Sequence, residues 1–128
     1  MNEVDTLLIR PFHRLSDGEK DQVKTLGPHQ PKDFVLSQVC GRATRHFNQE
    51  WFSKFEWLTV GLSEVKKKLF CFYCLLFYPG HENAWAKNGF CDLSHFTVKA
   101  KSHEESSVHL TCALKYRTFG TTNIASKL

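Results

Sequence analysis

A small α+β domain is what this sequence predicts: a β-hairpin knuckle followed by helices, with an extended N-terminal segment in front. Three observations carry that prediction. Cys71 and Cys74 form a Cys-x2-Cys pair inside an aromatic, strand-prone run from Leu69 to Tyr78. Two histidines, His103 and His109, follow where one predicted helix gives way to the next. Eleven Phe, three Trp and three Tyr in 128 residues supply the bulk that a core this small needs.

The length fits one domain plus tails, and a hydrophobic content of 41% rules out wholesale disorder. From the N-terminus, residues 1–32 read as an adaptor outside the core. Within them Leu15 to Leu26 forms a short amphipathic helix, with Ser16 as N-cap and Glu19 completing a capping box. Gly27-Pro28 stops it, and Pro28 and Pro31 make an extended connector. Asp33 to Arg45 shows no clear periodicity.

From Phe47 the texture changes. Asn48 caps a helical turn carrying Trp51, Phe52 and Phe55, and Trp57 to Val60 is β-prone. Gly61 begins a loop that ends in Lys66-Lys67-Lys68. Leu69 to Tyr78 then reads as two strand arms joined by a knuckle at Cys71-Phe72-Tyr73-Cys74. Residues 79–92 form a loop anchored by Trp85 and Phe90. Asp92 or Ser94 caps a helix running to about Ser102, and Ser106 caps a last one from Ser107 to about Arg117. A finger domain of residues 45–118 and a tail of 119–128 follow from these boundaries.

A Cys-x-x-Cys turn aims two thiolates at one point, and Zn²⁺ favours four tetrahedral sulfur and nitrogen ligands. His103 near a helix end and His109 in the first turn of the next helix complete such a set. The spacing is C-x2-C-x28-H-x5-H, and its middle gap exceeds that of an ordinary DNA-reading finger. One structural Zn²⁺ on Cys71, Cys74, His103 and His109 is therefore expected. Cys112, one helical turn beyond His109, competes with it as fourth ligand. Cys91 and His95 flank a helix start and read as packing residues, and Cys40 as an indifferent thiol.

The residues Phe47, Trp51-Phe52, Trp57-Leu58, Phe70-Cys71-x2-Cys74, Phe77, Trp85, Gly89-Phe90 and His103-Glu104-x-Ser106-x2-His109 resemble the TTF-type zinc finger of hAT-family transposases. Within that family they are most similar to the group called zinc finger MYM-type protein 1-like. "LGPHQPKDF" upstream and "FGTTNI" downstream extend the resemblance over nearly the whole chain. The resemblance favours His109 over Cys112. It also implies a continuation into an RNase-H-like transposase domain, whose catalytic acids would lie beyond Leu128. One departure stands out: Asp92-Leu93-Ser94-His95 replaces the Trp usual after the Gly-Phe pair, and Leu93 and Phe96 are expected to fill its place.

The implied function is DNA binding in a transposase or transposase-derived nuclear protein, without catalysis. A formal charge of +4 permits that role. Lys66, Lys67, Lys68, Lys99, Lys101, Lys115 and Arg117 are the candidate phosphate contacts. The competing role is protein–protein interaction through the aromatic hairpin or the Trp85 loop. Enzyme chemistry is not expected. No βαβ pattern accompanies the Cys-x-x-Cys, and Phe70 stands where a zinc deaminase needs Pro. No apolar run approaches membrane-spanning length, and no secretory signal opens the chain. The nucleus is the expected compartment, with Ser126-Lys127-Leu128 as a weaker peroxisomal address.

Overall fold

Asn2 and Ser16 each open a helix by the same device. In α1 (Glu3–Ile9) the Asn2 side chain accepts from the Asp5 N–H at 3.2 Å, and the Asp5 carboxylate accepts from the Asn2 N–H at 3.0 Å. In α2 (Asp17–Leu26) Ser16 and Glu19 make the corresponding pair at 3.2 and 3.0 Å, as expected. Gly27, at φ +71°, ends α2. The computed structural model describes residues 2–62, 68–80 and 82–120. The expected Lys66 and Lys67 contacts, and the Ser126-Lys127-Leu128 tripeptide, lie outside those residues.

The first 30 residues do not stay outside the core. Val4 and Leu7 of α1 and Phe12 of the following 3₁₀ turn are buried. The Asn2 amide donates to the Val60 carbonyl at 2.8 Å, and the Asp5 carboxylate accepts from the Leu62 N–H at 3.2 Å. A seven-residue helix shows too few apolar positions for its period to be legible, so α1 escaped the sequence reading.

The aperiodic stretch also holds structure. β1 (Ser37–Cys40) pairs antiparallel with β2 (Ala43–His46) across a Gly41-Arg42 turn. None of these eight residues is buried, and neither Ser37-Gln38-Val39-Cys40 nor Ala43-Thr44-Arg45-His46 alternates apolar with polar side chains, so the sequence does not mark them as strands. α3 (Glu50–Lys54) follows; Gln49 rather than Asn48 holds its N-cap position, and the Asn48 side chain accepts from the Glu50 N–H at 2.9 Å from one residue further out.

β3 (Leu58–Val60) and β4 (Leu69–Cys71) form the central hairpin, with Leu58 opposite Cys71 and Val60 opposite Leu69. All six of their residues are buried. The second strand arm expected after the Cys71–Cys74 knuckle is not formed: α4 (Phe72–Phe77) takes in both the knuckle and most of that arm. A strand would send side chains three residues apart to opposite faces, whereas a helical turn brings them to one side. Cys71 and Cys74 need that convergence.

A π-helical turn, Ala84–Asn88, is capped by Asn83 and buries Trp85. Gly89 follows at φ +87°, where a Cβ would lie 2.6 Å from the Lys68 side chain. Its absence lets Phe90 bridge to Leu69 through reciprocal bonds of 2.7 and 2.9 Å. Asp92 and Ser94 do not cap the next helix. A 3₁₀ turn, Leu93–His95, intervenes, and both side chains bond His95 instead. α5 (Phe96–Glu105) and α6 (Ser107–Thr118) complete the fold, with Ser106 capping α6 through the His109 N–H. Leu93 and Phe96 are both buried, as expected. The result is a mixed helix and small-hairpin domain, and α4 packs against α6 over the central hairpin. Among the described residues, no helix is long and apolar enough to cross a membrane.

Candidate metal centre

Four structural positions bring the ligands together. Cys71 ends β4, and Cys74 lies in the first turn of α4. His103 sits in the last turn of α5 and His109 in the first turn of α6, on either side of the sharp corner at Ser106. The Ser106 hydroxyl fixes that corner by donating to the His103 carbonyl at 2.7 Å and accepting from the His109 N–H at 3.2 Å.

The ligand atoms of Cys71, Cys74, His103 and His109 all lie within 4.8 Å of one another, and all four residues are buried. Cys71 Sγ is 3.4 Å from His109 Nδ1, and Cys74 Sγ is 3.5 Å from His103 Nε2. The two imidazole nitrogens are 3.2 Å apart. A tetrahedron with Zn–S of about 2.3 Å and Zn–N of about 2.0–2.1 Å has S···N edges of roughly 3.5 Å and N···N edges of roughly 3.3 Å. The three distances above match those edges. The cluster holds one structural Zn²⁺, and four protein ligands close its shell.

Burial depresses the His103 pKa to about 3, helped by the neighbouring His109. Burial also lowers the His109 pKa. Both rings are thus neutral with a free lone pair, the form a metal requires. The Cys74 thiol is affected in both directions. A hydrogen bond with Cys112 lowers its pKa, but the bond to Cys71, burial and the Cys71 charge outweigh it and push the value up. A bound cation reverses this balance by stabilising the thiolates directly.

Acid should dismantle the site. An unfolded histidine takes up a proton near pH 6.5, whereas these buried rings resist protonation. The unfolded chain therefore binds more protons below that value, and stability falls as pH falls from about 6.5 towards 3. Circular dichroism with a chromophoric zinc chelator is expected to show zinc release and unfolding together over that range. An unchanged near-ultraviolet spectrum at pH 4 would refute this.

Aromatic rings wall the centre. Trp57 lies edge-on to both His103 and His109, with centroids 5.3 Å from each. Trp85 stacks on His103 at 5.2 Å, and Tyr73 lies 5.8 Å from His109. The Trp57 indole donates to the Glu104 carboxylate at 2.8 Å, which anchors the wall to α5. Sequence reasoning found the ligands and missed this wall. The one available signal was Trp57 at the head of a strand one residue short of the position opposite Cys71.

Cys112 is buried, and the neighbouring Cys74 thiol together with burial pushes its own pKa up. It stands beside the centre without entering the ligand cluster. Cys91 and His95 are exposed rather than packed, and Cys40 is half-buried. Of the expected phosphate contacts, Lys68 donates to the Asn88 carbonyl at 3.4 Å. Lys99 and Lys101 on α5, and Lys115 and Arg117 on α6, are exposed.

Fold and site define a small zinc-binding α+β module. Its relatives agree. The chain is 37% identical to zinc finger MYM-type protein 5 of Macaca fascicularis over 77% of its own length, and equally similar to the Homo sapiens protein. The Mus musculus protein of that name matches at 35% identity over 47% of the chain. These matches support a relation to the MYM-type zinc finger proteins. The chain spans about a sixth of the length of the primate relatives. No family model and no solved structure matches.

Proposed function

We propose that this module binds double-stranded DNA as the non-catalytic targeting part of a transposase-derived nuclear protein. The observation that carries this reading is the state of the cations on α5 and α6. Lys99, Lys101, Lys115 and Arg117 are exposed, and none is in an ion pair among the described residues. Of the two acids that lie between them in sequence, Glu104 is turned to the Trp57 indole, and Glu105 is exposed without an ion pair among the described residues. Free cations beside a rigid centre displace counterions from phosphates, giving binding that weakens steeply with salt. The closed zinc shell supports a structural role for the metal, because it has no open position for an activated water. The resemblance to TTF-type fingers supplies the transposase and nuclear context.

Fluorescence anisotropy of the zinc-loaded chain on random duplex DNA, at 50 and 200 mM salt, tests the reading. Tight binding at the lower salt is expected to fall at least tenfold at the higher. No binding at the lower salt would overturn it. A protein-binding role through the Trp85 loop is not supported, since Trp85 is buried in the core. Leu110 and Leu114, exposed one turn apart on α6, favour a second reading in which that helix face meets another protein.

A further inference from the structure

From Phe34 to Gln49 the chain carries Arg42, Arg45 and His46 but no carboxylate. This segment holds the β1–β2 ribbon, and the fold alone does not account for it. None of its eight strand residues is buried, and a two-stranded ribbon is marginal without a packed face. Val39 is 76% exposed, although its type favours burial.

The register divides the ribbon into two faces. Gln38 with Arg45, and Cys40 with Ala43, share one face; Ser37 with His46, and Val39 with Thr44, share the other. The first is tethered to the domain, because the Gln38 side-chain oxygen accepts from the Leu93 N–H at 2.7 Å. The second is open. Gly41, at φ +63°, makes the tight turn that sets Arg42 at the tip. Neither Arg42 nor Arg45 is in an ion pair among the described residues. Asp33 and Glu50 bracket the segment in sequence, and the nearby Asp92 carboxylate is already taken by His95 at 2.9 Å.

A two-stranded ribbon is one of the two shapes that the major groove of B-DNA admits. We propose that the β1–β2 ribbon is the element that enters the major groove. Arg42 at the tip approaches base edges, Arg45 meets the phosphate backbone, and Val39 and Thr44 present methyl groups to thymine. The assignment rests on the DNA-binding reading above and names the surface that performs it.

The test compares the full zinc-loaded chain with an Arg42→Ala/Arg45→Ala variant and a Lys115→Ala/Arg117→Ala variant on duplex DNA across a salt series. Zinc content and near-ultraviolet dichroism confirm that each variant is folded. The ribbon variant is expected to lose at least tenfold in affinity at 100 mM salt and to lower the salt slope by about one, the share of the Arg45 phosphate contact. Arg42→Lys should keep most of the slope while weakening the preference among duplexes of different sequence, because the planar guanidinium fork fits the guanine edge better than a compact ammonium. If the wild type binds and the ribbon variant binds equally, the ribbon assignment falls while the DNA reading stands. If the wild type does not bind duplex at low salt, the DNA reading falls first. Arginine-dependent capture of a polyglutamate peptide in that case would reassign the ribbon to an acidic protein partner.

Discussion

Cys71→Ala is expected to unfold the domain rather than weaken it. A structural zinc contributes on the order of 10–16 kcal/mol in finger peptides, whereas a whole domain retains only about 5–15 kcal/mol of net stability. Cys71 is also fully buried at the junction where β4 becomes α4, so its loss opens the shell at the element that positions Cys74. Near-ultraviolet dichroism should collapse, native mass spectrometry should show no zinc, and a strong chelator should bring the wild type to the same end point. A variant that keeps one zinc and a native-like spectrum would remove Cys71 from the ligand set. Cys112→Ala provides the contrast. It deletes a buried thiol beside Cys74 but leaves the four-ligand cluster whole, so zinc stoichiometry should hold at one.

Trp57→Ala is the second large effect, expected at about 3–5 kcal/mol, as for other large aromatic truncations in a core. Trp57 is 1% exposed. Its ring touches both ligand histidines, lies edge-on to Trp85 at 5.3 Å and packs against Phe55 at 5.4 Å. Truncation would leave a cavity next to the metal and strand the Glu104 carboxylate without its indole donor. The midpoint of chemical denaturation at saturating zinc measures the loss. Trp57→Phe retains most of the volume and gives up the hydrogen bond, so about 1 kcal/mol is expected. A loss below about 1 kcal/mol for the alanine variant would show that the wall is dispensable.

The sequence announced the centre more clearly than the scaffold around it. Cys71, Cys74, His103 and His109 are legible because metal chemistry restricts both residue type and spacing. Ser16 and Ser106 are legible because a cap acts over three residues. The elements that escaped share a physical cause: their signal is not local. α1 is too short to display a period, and its worth lies in long-range bonds from Asn2 to Val60 and from Asp5 to Leu62. β1 and β2 bury no residue fully, and their side chains do not alternate apolar with polar along the sequence. α4 is built from Phe72, Tyr73, Leu75, Leu76 and Phe77, a strand-like composition that the geometry of the metal overrides. Trp57 was visible as a core residue, but its contact with the histidines depends on how α5 and α6 return to the hairpin.

That contact makes the centre visible to light. Zn²⁺ has a filled d shell and no colour of its own, yet two of the three tryptophans, Trp57 and Trp85, lie against His103. Trp51 instead stacks on Phe96 at 4.0 Å. The indole emission of this chain is therefore mostly a report on the metal and its ligands. Exchanging zinc for a coloured cation such as Co²⁺, which accepts excitation energy from nearby rings, would turn ligand exchange into an optical signal without any added label.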